Sequence, residues 1–282
     1  MKKNIFDLET VPAPEAKRIE LLEAALEVAD AECLAIKPPG NLKKAETIAE
    51  WMATEAPAKA QAIRDAAAAE ADLAWRKTGL SAAFGRIYCI GYSTNGSTPV
   101  SPTLEDFGAT IEDIKAGNVT ALLAERAMLL SWFETCAYQK CQEGLPQYIG
   151  HNISGFDIRF VFQRVVIIGK QLKDILGADA PDAQLALPAG YPIQAKPWEA
   201  DRLFDTMIAW AGNNGRVKLD VLCEALGIAM KGAELDGEEI DGSMVVDYVY
   251  GGQGKKVATY CCGDVTRTWE IYKVLQPALA VV

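Results

Sequence analysis

The sequence predicts an α/β fold, and three observations predict it. Short β-branched and aromatic runs alternate with helical stretches along the chain. A strand candidate at the N-terminus is set apart from the next one by a long block rich in Ala, Glu and Lys. The chain has 282 residues, 50% of them hydrophobic, enough for one large domain with a sizeable core.

Asn4 to Leu8 reads as a short apolar strand, which the polar and proline residues Thr10, Pro12 and Pro14 should end. Leu22, Leu26, Ala29 and Cys33 then recur at helical spacing, and the run Pro38-Pro39-Gly40-Asn41 breaks that helix. A second helix is expected around Ile48, Trp51 and Met52. A third is expected through Ala66 to Ala69, with Gly79 as its C-terminal cap. Residues 13–78 thus look like a helical insertion. Sheet-like sequence resumes at Arg86 with RIYCIGYS, and Asn95-Gly96 is a turn signal. A long helix is expected over 119–143, a strand at PQYIGHN, and a helix over 157–168. Residues 170–200 read as an irregular loop. RLFDTMIAW reads as another strand, LDVLCEALGI as a short helix, and Val257 to about Leu275 as a closing helix. There is no internal repeat.

Composition excludes several classes. No apolar run reaches the length of about 18 residues that a membrane span requires, and the N-terminus MKKNIFDLET lacks a signal-peptide core. A cytoplasmic protein is expected (host cytoplasm if phage-encoded). The seven cysteines form no C-x-x-C pair, and His151 is the single histidine. Reduced thiols are therefore expected, rather than a disulfide framework or a structural zinc site. The formal net charge of −10 argues against coating duplex nucleic acid non-specifically. It leaves room for an enzyme that meets phosphates through bound cations, because the acids that hold such cations count in the sequence charge.

That possibility directs attention to carboxylates that can converge. Hydrolysis of a phosphodiester is accelerated by two divalent cations about 4 Å apart, and such hard cations take oxygen ligands. Asp7 and Glu9 lie two apart on the first strand and so share a face. The plainer explanation is a strand end facing water. Asp157 follows a strand and a Ser-Gly turn, where Asp is also favoured simply as a first-turn helix residue. Tyr260 and Asp264 are four apart on the last helix, within mutual reach. Taken singly, each has a bland reading. Their combination is specific.

FDLET at the N-terminus, then N-x-x-x-F-D from Asn152 to Asp157, then Y-x-x-x-D from Tyr260 to Asp264, resembles the three motifs of the DEDD 3′→5′ exonuclease superfamily in its tyrosine branch. FGRIYCIGYS resembles the family's second strand. KLDVLCEALGI with the later IDGS resembles stand-alone phage and bacterial exonucleases related to polymerase proofreading domains. The likeness covers residues 3–12 and roughly 80–275. It implies an RNase H-like mixed sheet flanked by helices, with residues 1–282 as one exonuclease domain. It also implies that Asp7, Glu9, Asp157 and Asp264 ligate two Mg²⁺ or Mn²⁺ ions, and that Tyr260 holds the attacking water. An unperturbed tyrosine has a pKa of about 10, so orientation suits Tyr260 better than proton abstraction. Thr10, Asn152 and Phe156 would contact the substrate. The family's other branch places a histidine five residues before the last Asp. Here that position is Thr259, which leaves His151 as a packing residue at the strand end.

The resemblance implies a nucleic-acid substrate with a free 3′ end, released as nucleoside monophosphates. Likeness to proofreading relatives favours DNA, single-stranded, over RNA. The remaining alternative is a non-catalytic nucleic-acid or partner-binding module, disfavoured because all four carboxylates are present. Asp205 could sit at a strand end near the site, but a plain strand-end residue is the favoured reading. Lys218, Lys231, Lys255 and Lys256 are expected as solvated surface that could steer a phosphate backbone, and Cys261 and Cys262 as packing residues. The departure from the family pattern is the insertion 13–78. Its entry point just after Asp7 and Glu9 suggests a cap over the substrate or a docking site for a recruitment partner. An insertion that only packs against the domain explains it equally well.

Overall fold

The computed structural model describes residues 2–137, 145–196, 199–230 and 240–279. The first strand, β1 (Lys3–Val11), continues past its expected end at Leu8. Its tail is held because Thr10 and Val11 still pair with Ile87 and Arg86 across a register shift after Glu9. The second strand, β2 (Arg86–Thr94), is antiparallel to β1. Asn95 and Gly96 turn the chain with positive φ at both positions (54° and 77°), as this two-residue turn demands. The chain then returns through a bridge between Tyr92 and Val100.

Between these strands lie α1 (Glu15–Leu34) and α2 (Ala45–Lys77). They form an antiparallel hairpin, fixed by Arg18–Asp72 at 2.6 Å and Arg64–Asp30 at 2.7 Å. The two helices expected over 45–77 are one, running through Pro57. Proline removes one ladder bond, but the helix beyond that point is held against α1, with Cys33 at Ala60 and Arg18 at Asp72. Gly79 is not a left-handed cap. The helix tightens into a 3-10 turn at Thr78–Leu80, where a Cβ on Gly79 would stand 3.4 Å from the Pro12 nitrogen. The small residue there serves close approach to the end of β1.

Next come α3 (Ile111–Ala116), α4 (Val119–Ala137), β3 (Gln147–Gly150) and α5 (Asp157–Leu176). The expected tail of α4 over 138–143 lies outside the described residues. Helix α5 outlasts its expected end at 168 because the buried stripe Val161, Val165, Ile168 and Leu172 keeps its helical spacing. RLFDTMIAW is a strand only over β4 (Leu203–Asp205). It then turns into α6 (Thr206–Ala211), because the Asp205 side chain accepts from the Met207 and Ile208 N–H groups and caps the helix. The chain ends in α7 (Leu219–Leu226), α8 (Val245–Tyr250), which the sequence reading did not anticipate, and α9 (Gly254–Leu279).

The sheet order is β2-β1-β3-β4, with β3 parallel to both β1 and β4. This is an RNase H-like α/β fold. Phe6 and Tyr148 join Trp132, Val161 and Ile168 in the core on one face. Ile5, Ile149 and Phe204 join Leu222, Val265 and Ile271 on the other. Up to the register shift after Glu9, odd positions of β1 therefore look toward α7 and α9, and even positions toward α4 and α5. The buried pair Arg164–Glu125 (2.7 Å) ties α5 to α4, and Glu125 also accepts from the Ile87 N–H of β2. No described helix is long and apolar enough to cross a membrane.

Candidate active site

Asp7 and Glu9 share the face of Ile5, so β1 presents both acids to α9. Asp7 is half-buried and Glu9 is buried. Cys261 enters beside them, and one ligand atom from each of Asp7, Glu9 and Cys261 lies within 4.8 Å of the others. The Cys261 thiol stands 3.6 Å from Asp7 Oδ2. Helix α9 approaches this closely because Gly91 pairs with Asp7 across the sheet. A Cβ at position 91 would stand 2.6 Å from Cys261 Sγ and 3.1 Å from its carbonyl oxygen. Burial, then Cys89, Asp7 and Glu9, push the Cys261 thiol well up, and burial raises Cys262 to about 11. Both stay protonated, in keeping with packing rather than reactive roles.

One turn of α9 separates Tyr260 from Asp264, and both are buried. Burial, the charges of Glu9, Asp264 and Asp7, and a hydrogen bond with Asp264 all raise the Tyr260 hydroxyl. It therefore keeps its proton and remains a donor. One further turn brings the buried Arg267, whose Nη2 meets Asp264 Oδ1 at 2.7 Å.

Asp157 opens α5 and is 4% exposed. The backbone at Asp157 itself and at Leu8 favours its charged form. Burial, followed by the charge of Asp7 and then Asp205, nonetheless raises it well above the ordinary carboxylate range. The charge of Asp7 acts on it directly, which places Asp157 close to the first strand acid. Three elements distant in sequence thus bring four carboxylates and a tyrosine to one place. A dense set of hard oxygen donors whose negative charges oppose one another suits divalent cations of the Mg²⁺ or Mn²⁺ type.

The turn before Asp157 is held by a residue that sequence reasoning treated as ordinary. Asp205 accepts from the backbone N–H groups of Asn152 (2.9 Å) and Ser154 (3.1 Å) and from the Ser154 hydroxyl (2.5 Å), while capping α6. The signal was available, since Asp followed by a helical run is an N-cap pattern. Asn152 sits at φ 59°. Its Oδ1 accepts from Arg216 at 3.4 Å. Phe156 is half-buried against Phe160. The Thr10 hydroxyl donates to the Gly79 carbonyl at 2.8 Å, which joins the residue after Glu9 to the exit of the hairpin. His151 bridges Thr206 Oγ1 and the Val217 carbonyl, at 2.9 Å each. It pins the loop before α7 to the end of β3, a structural task.

Asp7, Asp264 and Asn152 open onto a cleft of about 540 Å³, also lined by His151, Arg216 and Lys218. Of the lysines singled out, Lys218 belongs to this cleft. Lys255 and Lys256 lie in the first turn of α9, Lys256 over the Tyr248 ring, and Lys231 lies outside the described residues. Arg216 is the cationic cleft residue that the sequence reading missed.

No curated protein matches the chain. Residues 107–278, more than half of it, match the model of a family described as a predicted 3′-5′ exonuclease related to the exonuclease domain of PolB. The matched stretch contains Asp157, Tyr260 and Asp264, and Asp7 and Glu9 precede it. The chain therefore belongs to the family of predicted 3′-5′ exonucleases related to the PolB exonuclease domain.

Proposed function

We propose that the protein is a two-metal 3′→5′ exonuclease of the tyrosine branch, acting on single-stranded DNA and releasing nucleoside monophosphates. The observation that carries this reading is the convergence of Asp7 and Glu9 on β1 with buried Asp157 and with Tyr260 and Asp264 of α9. Asp7, Glu9, Asp157 and Asp264 would hold two Mg²⁺ or Mn²⁺ ions. When bound, such ions supply a water nucleophile at neutral pH and neutralise the charge that develops on the phosphate. Tyr260 keeps its proton and orients the water by a hydrogen bond. Arg216 and Lys218, which line the same cleft, attract the phosphates. Asn152 and Phe156, on the turn held by Asp205, meet the terminal nucleotide, with Thr10 beside them.

The hairpin of α1 and α2 acts in this reading as a cap that limits entry to a single strand or receives a recruitment partner. Several contacts hold its base to the domain. Trp75 donates to the Ala13 carbonyl, Arg76 forks onto Asp247 of α8, and Thr10 bonds to Gly79.

The test uses DNA and RNA oligonucleotides, 5′-labelled, with free or blocked 3′ ends, in Mg²⁺ or Mn²⁺. The proposal expects single-nucleotide shortening of DNA from free 3′ ends only. Equal or faster shortening of RNA assigns the chain to exoribonucleases. No shortening, with equal oligonucleotide binding by the intact protein and Asp7→Ala, assigns it to non-catalytic binding modules.

A further inference from the structure

On the α4–α5 side of the sheet, away from the acids, two guanidinium groups are buried with one carboxylate between them. Arg164 forks onto Glu125 (Nη2 to Oε2 2.7 Å, Nε to Oε1 2.8 Å) and gives a third N–H to the Ala82 carbonyl at 3.0 Å. Arg86 is 3% exposed. Among the described residues it makes a single side-chain hydrogen bond, from Nη1 to the Ile114 carbonyl at 3.2 Å. A carboxylate already engaged by one guanidinium leaves the second undercompensated, and a buried charge without its own partner is costly. Burial lowers the proton affinity of Arg86, with Glu125 opposing that change and Arg164 adding to it.

The two guanidiniums open onto a cavity of about 200 Å³, shared with Lys17 of α1 and Gln171 of α5, and with Phe84 at its rim. Lys17 pairs with Glu20 at 2.5 Å, but that pair is solvated and weak, so the ammonium can exchange partners. Phe84 is 54% exposed. The guanidinium of Arg86 is set against Gly117, where a Cβ would stand 2.3 Å from Nη2. Planar guanidiniums with spare donors suit phosphate oxygens, and an exposed aromatic ring beside them offers a stacking surface for a base. In a chain of net charge −10, a cavity with two buried cations and no carboxylate among its lining residues is a local inversion of sign.

We propose that this cavity is a phosphate-binding site for a nucleotide, separate from the catalytic cleft, with Arg86 and Arg164 under the phosphate and Phe84 against the base. The nucleotide is either free or part of a strand running over the base of the hairpin. Arg164 lies two turns of α5 beyond Asp157, a rise of about 10 Å, so a strand engaged at both places is within reach.

The experiment titrates the full chain in EDTA, which silences catalysis, with inorganic phosphate, dAMP or a short DNA oligonucleotide at constant ionic strength. Melting temperature and calorimetry provide the readouts. A saturable rise of Tm is expected with phosphate and with at least one nucleotide form. Substitution of the exposed Gln171→Glu puts a like charge at the mouth without touching the buried triad, and should weaken binding by about tenfold. Phe84→Ala should weaken nucleotide binding and leave inorganic phosphate unchanged. Binding of dAMP but not of the oligonucleotide identifies a free nucleotide as the ligand, and the reverse identifies the strand. No saturable rise, or a rise that Gln171→Glu leaves unaltered, overturns the site. Nucleotide affinity unchanged by Phe84→Ala overturns the stacking role.

Discussion

Gly91→Ala tests whether the close approach of α9 to the sheet is what assembles the acids. A single methyl group is added on β2, opposite Asp7, at a position outside the proposed metal shell. Its carbon would lie 2.6 Å from Cys261 Sγ and 3.2 Å from the Cys261 carbonyl carbon. Against an ordinary contact of about 3.5 Å, the overlap is about 0.9 Å at the thiol and about 0.3 Å at the backbone. A rotation of the thiol relieves the first overlap, and only movement of α9 relieves the second. That helix carries Tyr260 and Asp264, so both are displaced from Asp7, Glu9 and Asp157. Overpacking of this size costs about 1–3 kcal/mol of stability, and misplacement approaching 1 Å lowers turnover by up to about 10²-fold. The expected result is a kcat on a labelled oligonucleotide reduced by about 10- to 100-fold in a protein that still unfolds cooperatively. The double variant Gly91→Ala/Cys261→Ala should recover part of the loss, because it removes the thiol overlap and leaves the backbone one. Wild-type kcat and Tm in Gly91→Ala would refute the reasoning.

Four further outcomes follow from the same geometry. Tyr260→Phe should lower kcat by about 10²-fold, as loss of one oriented hydrogen bond does, without altering the pH profile below about pH 10. The folded hydroxyl is raised above its unfolded value, so its contribution to stability is complete below about pH 10 and fades as pH rises above that. Metal-free wild type should therefore lose stability in that alkaline window more steeply than Tyr260→Phe. Asp157→Asn should abolish activity yet raise the melting temperature of the metal-free protein, because burial and Asp7 penalise the charged form; an unchanged or lower Tm contradicts this. Asp205→Ala strips acceptors from Asn152, Ser154 and the α6 N-terminus, and should cost about 2–4 kcal/mol and at least tenfold in kcat, measured by denaturant titration and oligonucleotide degradation. Glu125→Ala leaves Arg164 buried beside Arg86 and should cost about 3–5 kcal/mol, whereas an exposed pair such as Lys170–Asp174 should cost less than about 1 kcal/mol when broken.

The acids proposed for the site could be singled out in the sequence because their patterns are local. Two acids at period two on β1, an acid at the start of α5, and a Tyr-Asp pair one turn apart on α9 each leave a short-range pattern, and the fold supplies only their convergence. The strands β1, β2 and β3 were legible for the same reason. The single helix α2 was not, because Pro57 breaks the local pattern and the contacts with α1 that hold the helix beyond it are distant in sequence. The length of β4 was misread because apolar residues continue into α6, and only the capping bonds of Asp205 separate strand from helix. Arg216 and Arg86 were passed over because a lone arginine carries no local signal. One becomes notable through its cleft and the other through its burial. Gly91 was passed over, although a glycine within a strand can mark close backbone approach, because its partner Cys261 is far along the chain.

The central claim is that Asp7, Glu9, Asp157 and Asp264 hold two divalent cations. The most direct measurement is Mn²⁺ titration of the full chain, followed by electron paramagnetic resonance of the free ion and by calorimetry. Two bound ions per chain are predicted for the wild type, with at least one lost in Asp7→Ala and in Asp157→Ala. A wild type that binds no Mn²⁺, or variants that bind as many ions as the wild type, would contradict the account.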